Sequence, residues 1–465
     1  MAFFRTVREE RSPVMKKSEK GYVSTRNPCS LCAPLGASIV FRGIQGALPI
    51  LHGSQGCSTY IRRYLISHFN EPIDIASSNF SEKSAIFGGK QNLMKGLENL
   101  CIQYEPELIG VASTCLSETI GDDVPMIVRE FIKDNQSLSI PKIVHVSTPS
   151  YSGNHMDGFH NAVLAVVSAL AEEKNIISTV GIFPGFVSPA DIRYLRGVAE
   201  AFCLNCVILP DYSESLDGGP WEEYQKIQKG GVSLNEVKSL GGSRAVIEFG
   251  HSLADRDTAA TFLKNKFCVE RFSLGLPIGI RLTDSFFGVM EDLSLRKMPP
   301  KHRLARSRLI DSYIDGHKYL FEKRALVFGE EDLVISVAAF LFEIGVIPVL
   351  CATNAQTGTI NRIVAGIAND YGREVMIREG VDFENIKEEA RNLDIDFIIG
   401  NSKGYYIARE MGIPLIRIGF PIHDRIDSGR IIHLGYSGTQ QLFDRITNAI
   451  IQVKQDLSPV GYNYM

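Results

Sequence analysis

The sequence predicts an α/β protein built of three Rossmann-like domains, each with a parallel sheet flanked by helices. Short apolar runs alternate with longer segments of helical periodicity, and turns rich in glycine or serine separate them. Residues 324–354, RALVFGEEDLVISVAAFLFEIGVIPVLCATN, are typical of a complete strand–helix–strand unit. A chain of 465 residues is also too long for a single hydrophobic core.

The alternation of these segments predicts where the domains lie. We expect a polar N-terminal arm over residues 1–26, followed by α/β domains over 27–175, 176–310 and 311–465. Helices are predicted at 59–69, 91–104, 158–173 and 438–453, and buried strands at ALPILH, ELIGVAST, KIVHV, STVGIF, CVILPD, RAVIEFG, DFIIG and PLIRI. Ser188 is predicted to cap a further helix, with Asp191 three residues later.

Composition excludes several classes of protein. A net charge of −4 gives no reason to expect nucleic acid as a partner, and the basic run at 296–308 is typical of a solvated helix face. No apolar run is long enough to cross a membrane. The charged N-terminus has no secretory pattern, so we expect a cytoplasmic protein whose thiols are reduced.

Three of the nine cysteines stand beside small residues and turns. Cys32 and Cys57 bracket an apolar segment punctuated by glycine, and Cys115 follows the predicted strand ELIGVAST, at the sheet edge where α/β proteins place ligands. Thiolates are the preferred ligands of iron–sulfur clusters, and Gly53 and Gly56 would let backbone N–H groups approach cluster sulfides. Three thiols are one short of a four-thiolate cluster. We therefore expect another subunit to supply the rest.

The remaining cysteines have simpler interpretations. Cys29 and Cys32 form a C-x-x-C, but a second such pair in a zinc-binding context is absent, so Cys29 is interpreted as a neighbour. Cys203 and Cys206 lie in an apolar run and are predicted to be buried structural thiols. The last three are predicted to belong to the core: Cys101, Cys268 and Cys351.

Nearby polar residues could also take part in chemistry. His52 is predicted to hydrogen-bond backbone near the site, and His145 to be a core histidine with its hydrogen bonds satisfied. Glu118, Asp122 and Asp123 could serve as acids. We favour structural roles for these three carboxylates, at helix N-termini and in ion pairs.

Several phrases in order resemble the β-type subunit of the nitrogenase component 1 family, over nearly the whole chain: NPCSLCAPLGA, HGSQGC, HFNEPIDIASSNFSEKSAIFGG, STCLSETIGDD, STPSYSGNH and IRIGFPIHDR. The resemblance implies that Cys32, Cys57 and Cys115 border an electron-relay P-cluster, or a smaller four-iron cluster, shared with a partner subunit. It further implies that Ser150 is an occasional extra ligand of the oxidised cluster.

The resemblance also implies partners: an α-type subunit in an α₂β₂ heterotetramer, and an ATP-dependent iron-protein reductase. The tyrosines and arginines of TYIRRY are expected to contact the α-type subunit. The active-site cofactor of the family is held mainly by the other subunit. No catalytic residue is therefore predicted in this chain, and its sequence does not reveal a substrate.

Two functions remain open within this family, and the sequence details favour the first, a scaffold for cofactor assembly. NPCSLC, TYIRRYLISHF and SPVGYNYM are most similar to the scaffold subunit (the N subunit) on which the iron–molybdenum cofactor is assembled. The alternative is an oxidoreductase β-chain, of nitrogenase or of a nitrogenase-like enzyme such as methylthio-alkane reductase. The best-known scaffold subunits keep one of the three cysteines, whereas this sequence has all three.

Overall fold

The computed structural model describes residues 30–173 and 177–460 and contains three parallel sheets, each flanked by helices. This architecture confirms the predicted fold class. The predicted arm at 1–26, Cys29 and the end of the phrase SPVGYNYM lie outside the described residues. Within them, no helix is both long and apolar enough to cross a membrane.

The first sheet has four parallel strands in the spatial order second, first, third, fourth. These strands are β1 (Ala47–His52), β2 (Ala76–Ser77), β3 (Leu108–Ser113) and β4 (Lys142–Val146). The helices around it are α1 (Ala33–Arg42), α2 (Gln55–Phe69), α3 (Glu82–Phe87), α4 (Lys90–Tyr104), α5 (Cys115–Ile120), α6 (Val124–Asp134) and α7 (His155–Leu170).

The second sheet also has four parallel strands, β5 (Ile177–Phe183), β6 (Cys206–Ile208), β7 (Ser243–Phe249) and β8 (Glu270–Leu274), in the order β6-β5-β7-β8. Its helices are α8 (Pro189–Ala201), α9 (Leu234–Ser239), α10 (Ala259–Phe267), α11 (Gly279–Ser294) and α12 (Pro300–Leu320). Two 3-10 turns, Leu240–Gly242 and His251–Leu253, flank β7.

The third sheet has five parallel strands, β9 (Arg324–Phe328), β10 (Ile347–Ala352), β11 (Met376–Arg378), β12 (Phe397–Gly400) and β13 (Leu415–Arg417), in the order β11-β10-β9-β12-β13. Its helices are α13 (Glu331–Glu343), α14 (Thr359–Asp370), α15 (Phe383–Ala390), α16 (Tyr405–Met411) and α17 (Gly435–Asp456), with a 3-10 turn at Ser402–Gly404.

Most of the elements follow the predicted pattern. The strand–helix–strand unit at 324–354 is present as β9, α13 and β10. The cap of α8 is confirmed, because the Ser188 Oγ accepts from the Asp191 N–H at 3.0 Å and Asp191 accepts from the Ser188 N–H in return. The domain bounds stay a prediction, and the one at 310 falls inside α12, which packs against α17.

Helix α1 is absent from the sequence prediction, which treated the segment as apolar and glycine-punctuated. Its proline lies in the first turn, where a missing N–H costs nothing. Its glycine serves tertiary packing, because α1 crosses α7 at Gly36 and Gly158. A Cβ on Gly36 would lie 1.8 Å from the His155 carbonyl oxygen, and one on Gly158 would lie 1.9 Å from that of Ala33. The two backbones can approach this closely only because both residues lack side chains.

Two cysteine predictions are wrong. Cys203 and Cys268 are exposed rather than buried, and both have left-handed backbone conformations, with φ of 56° and 58°. Each lies just beyond the end of a helix, α8 and α10 respectively, where the chain turns away from the core. Cys101 and Cys351 are buried as predicted, whereas Cys206 is only half-buried.

Candidate metal–sulfur site

Three of the four predicted site residues follow the carboxyl ends of strands in the first sheet. Cys57 lies in the first turn of α2, after β1 ends at His52. Cys115 begins α5 directly after β3, and Ser150 lies in the loop after β4. Because these strands are parallel neighbours, their carboxyl ends meet at one edge of the sheet.

Cys32 reaches the same edge from a different direction, at the N-cap of α1. It forms an isolated antiparallel bridge with Asn154, the N-cap of α7. The Ala33 N–H donates to the Ser150 Oγ at 3.1 Å. The loop after β4 therefore holds the backbone around Cys32 against the sheet edge.

Ser150 also contacts a second thiol. Its backbone N–H donates to the Cys115 Sγ at 3.2 Å, while the Ser54 Oγ donates to the Cys57 Sγ at 3.6 Å. Both distances are within the range of hydrogen bonds to sulfur. Such bonds stabilise negative charge on sulfur, which is the form that binds metal.

Cys32 lies close enough to the two other thiols for their charges to affect its ionisation. Burial raises the pKa of the half-buried Cys32 thiol, the hydrogen bond to Ser150 lowers it, and the charges of Cys57 and Cys115 raise it further. Negative charge on Cys57 and Cys115 therefore disfavours the Cys32 thiolate in the absence of a cation. Positively charged iron would remove this repulsion and favour the thiolate forms.

The arrangement does not fit a single metal ion. Among residues 30–173 and 177–460, no three His, Cys, Asp or Glu side chains converge on one position that could hold an ion. An iron–sulfur cluster has a different requirement, because its iron atoms stand apart and each takes its own thiolate. Cys57 and Cys115 are exposed, so the edge is open to a cluster of that size.

A network of hydrogen bonds around His52 lies next to this sheet edge. The His52 Nδ1 lies 3.0 Å from the Ser78 Oγ, and its Nε2 lies 3.1 Å from the Asp122 Oδ2. Asp122 also accepts from the Gly89 N–H at 2.9 Å. The ring nitrogens of His52 therefore bond side chains, whereas the sequence predicted a hydrogen bond to backbone. Burial lowers its pKa, and Asp122 opposes that shift.

The carboxylates near Cys115 are held by hydrogen bonds. Glu118 accepts from the hydroxyls of Ser113 and Ser147, and Asp123 caps α6 by accepting from the Met126 N–H at 2.8 Å. These contacts agree with the structural roles favoured above. The interpretation of His145 as a satisfied core histidine is wrong, because it is only half-buried and its Nε2 has no hydrogen-bond partner among the described residues.

Sequence reasoning missed two groups that contact this site. His155 accepts from the Leu31 N–H at 3.3 Å, next to Cys32. Tyr60, on α2, is close enough that the charge of Cys32 contributes to raising its pKa, after burial and Tyr64. The sequence placed Tyr60 in the phrase TYIRRY, expected at the α-type subunit, and its position three residues after Cys57, on the same side of α2, is the signal for a contact with the site.

The chain is similar to known proteins over most of its length. The family model described as nitrogenase component 1 type oxidoreductase matches residues 32–451. The nitrogenase molybdenum-iron protein beta chain of Clostridium pasteurianum is 35% identical over 428 residues, covering 91% of this chain and 93% of that protein. The protein of the same name from Methanothermobacter thermautotrophicus is 34% identical over 436 residues, covering 92% and 94%.

A solved structure agrees with these relatives. The structure described as nitrogenase Cp1 at pH 6.5 matches with a TM-score of 0.92 at 32% identity, covering 97% of this chain and 98% of that one. The fold and site define a three-sheet α/β protein with a group of thiols at the edge of its first sheet. The chain belongs to the nitrogenase component 1 family, and the resemblance to its β-type subunit is confirmed.

Proposed function

We propose that this protein is the β-type subunit of a nitrogenase-like complex and that it supplies half of the ligands of an iron–sulfur cluster. The observation that carries the proposal is the meeting of Cys32, Cys57 and Cys115 with Ser150 at one open sheet edge. The relatives in the comparison are named as beta chains of a molybdenum-iron protein, which supports a metal–sulfur role.

The cluster is completed by an α-type partner. Three thiols leave a four-thiolate cluster incomplete, and two of them face outward. Large apolar side chains lie exposed on elements around the same edge: Ile86 and Phe87 on α3 are 75% and 79% exposed, and Tyr151, beside Ser150, is 67% exposed. Helix α3 contacts α5, which begins with Cys115. Exposed apolar groups beside an incomplete ligand set are typical of a subunit interface.

When bound, such a cluster supplies one-electron transfer. The residues of this chain bind its iron through Cys32, Cys57 and Cys115, and Ser150 adds a backbone donor to sulfur and a hydroxyl beside Cys32. Hydrogen bonds to sulfur, burial and net charge set the reduction potential of iron–sulfur clusters. We place the protein in an α₂β₂ complex that receives electrons from an ATP-dependent iron-protein reductase.

The electron-relay role is our first choice because all three thiols are present and adjacent. The scaffold role in assembling the iron–molybdenum cofactor is the second candidate. It is carried by the sequence details NPCSLC and TYIRRYLISHF, which are most similar to scaffold subunits. Both roles use the same cluster edge and the same kind of partner. In the relay role the electrons reach a substrate, and in the scaffold role they reach a nascent cofactor.

Anaerobic co-purification with an α-type subunit tests the proposal. The complex should contain iron at the interface and an electron paramagnetic resonance signal that depends on oxidation. Reduction of dinitrogen or acetylene with the reductase component would support the relay role and reject the scaffold role. A complex that carries and releases a cofactor precursor without turnover would support the scaffold role. An iron-free complex would refute both.

A further inference from the structure

The N-terminus of α7 and the loop that precedes it hold the backbone on the two sides of Cys32. The Leu31 N–H donates to the His155 Nδ1 at 3.3 Å, in a buried contact. On the other side of Cys32, the Ala33 N–H donates to the Ser150 Oγ. Together with the bridge between Cys32 and Asn154, these contacts decide where the Cys32 thiol points.

The contact with Leu31 requires one tautomer of His155. Because Nδ1 accepts a hydrogen bond, it carries no proton, and the proton of the neutral ring is on Nε2. The His155 Nε2 lies 3.4 Å from the Glu330 Oε1, and the two side chains are 1% and 7% exposed. Both atoms are buried and neither has a hydrogen-bond partner among the described residues, so the 3.4 Å contact between them is electrostatic and is not aligned as a hydrogen bond. The negative carboxylate beside Nε2 favours a proton on that nitrogen through its charge.

Glu330 belongs to the third sheet region. It is the N-cap residue of α13, immediately after the turn at Gly329 that leaves β9, where φ is 157°. An N-cap side chain usually accepts from its own helix, yet the Glu330 carboxylate makes no such bond. Glu330 instead extends toward α7 in the first region, beside a polar cavity of 440 Å³ between the two.

We propose that Glu330 and His155 are positioning residues for the cluster ligand Cys32, so that the C-terminal region sets the geometry of the cluster edge. Glu330 holds the imidazole in the tautomer that accepts from Leu31, and the imidazole holds the backbone next to the thiol. The close crossing of α1 and α7 at Gly36 and Gly158 transmits any movement of α7 to the Cys32 segment. This inference rests on the proposed function, since it requires a cluster at Cys32.

Variants at neighbouring positions of one helix turn test the inference in the complex with the α-type subunit. Glu330→Ala removes the carboxylate beside Nε2–H, whereas Glu330→Gln keeps a polar oxygen there without the negative charge. Glu331→Ala is the matched control, because Glu331 accepts from Thr357 and from the Ile360 N–H but does not contact His155. The measurements are iron per complex, the midpoint potential of the cluster and the paramagnetic resonance spectrum of its oxidised form.

We expect Glu330→Ala to shift the midpoint potential and change the spectrum at wild-type iron content. Glu330→Gln, which keeps a polar oxygen beside Nε2–H, should give a smaller shift, and Glu331→Ala should match the wild type. Native spectra and potential in Glu330→Ala would overturn the inference. So would an equal shift in Glu331→Ala, which would indicate general destabilisation. A wild-type complex without iron would instead refute the proposed function, so the two failures are distinguishable.

His155→Asn tests the inference even if Glu330→Ala fails to assemble. The double variant of the two then distinguishes positioning through His155 from a direct effect of the Glu330 charge on the cluster. In His155→Asn the amide oxygen can replace Nδ1 as the acceptor for Leu31, but the side chain is too short to reach Glu330. This variant alone should shift the potential, because the connection to Glu330 is broken. In the double variant, Glu330→Ala should add no further shift. An undiminished further shift would mean that the carboxylate acts on the cluster without His155, and would overturn the inference.

Discussion

The backbone N–H of Ser150 donates a hydrogen bond to the Sγ of Cys115 at 3.2 Å, which joins the loops that follow β4 and β3. The same residue accepts from Ala33 through its Oγ, so one loop contacts two of the three cysteine segments. Backbone donors to sulfur are unaffected by side-chain substitution and tune the cluster that the sulfur binds. The site is thus organised around a loop as well as around the thiols.

Cys57→Ala should strip most of the iron from the purified complex, because it removes one of the three thiols proposed as ligands, an exposed one at the open edge. Cys268→Ala is the matched control: it also removes an exposed thiol, but from the end of α10. Iron per complex, measured by metal analysis after anaerobic purification, should fall in the first variant alone. Unchanged iron in Cys57→Ala would contradict the site assignment.

Gly158→Ala should destabilise the fold by about 1–3 kcal/mol, since its Cβ would lie 1.9 Å from the Ala33 carbonyl oxygen and separate α1 from α7. Gly197→Ala, on the exposed face of α8, meets no atom of the described residues within 4 Å and should raise stability by up to about 1 kcal/mol. Chemical denaturation of both variants measures the difference. Equal stability of the two would show that α1 and α7 do not cross as closely as described.

Ser188→Ala should lower the free energy of unfolding by about 1–2 kcal/mol through loss of the α8 cap. The Ser188 Oγ accepts from the Asp191 N–H and also donates to the Ile431 carbonyl at 2.7 Å, which connects the second and third sheet regions. Ser233→Ala removes an exposed cap of the same type on α9 and should cost about 0.5 kcal/mol. Thermal unfolding of the pair checks the ranking, and a larger loss in Ser233→Ala would refute it.

His68 predicts a pH dependence of stability. Its ring is fully buried and its Nδ1 accepts from the Ile422 N–H at 2.9 Å, and burial lowers its pKa to about 3. The unfolded chain takes up a proton near pH 6.5 while the folded protein does not, so stability falls as pH decreases from 6.5 toward 3. At pH 5 this group costs about 2 kcal/mol at 1.36 kcal/mol per pH unit.

His68→Asn isolates that contribution. The amide oxygen can still accept from Ile422, but the side chain no longer titrates. The variant should be less stable than the wild type at pH 7 and should lose about 2 kcal/mol less between pH 6.5 and 5. Denaturation curves at a series of pH values measure both effects. An identical pH slope in the two proteins would contradict the role given to His68.

Much of the fold follows from local patterns. Strands β3, β9 and β12 are continuous apolar runs, and their burial on both faces explains why the pattern is so clear. The cap at Ser188 is equally local, because three residues decide it. Cys115 was placed correctly at the end of a strand for the same reason.

Other features depend on contacts between distant segments. Helix α1 was missed because its glycine lowers helical propensity, while the crossing with α7 requires that same glycine. The exposure of Cys203 and Cys268 depends on where α8 and α10 end, which apolar composition alone does not indicate. His155 and Glu330 are 175 positions apart in the sequence, and no periodicity connects them.

The sequence by itself determined the alternation of strands and helices, the three thiols and the family, because these are encoded in short segments that can be interpreted one at a time. Only the tertiary structure decided that the thiols share one edge with Ser150, and that the C-terminal region reaches Cys32 through His155. The physical reason is that parallel strands bring their carboxyl ends together only once the sheet has formed, and a buried polar contact acquires its partner only when separate regions pack.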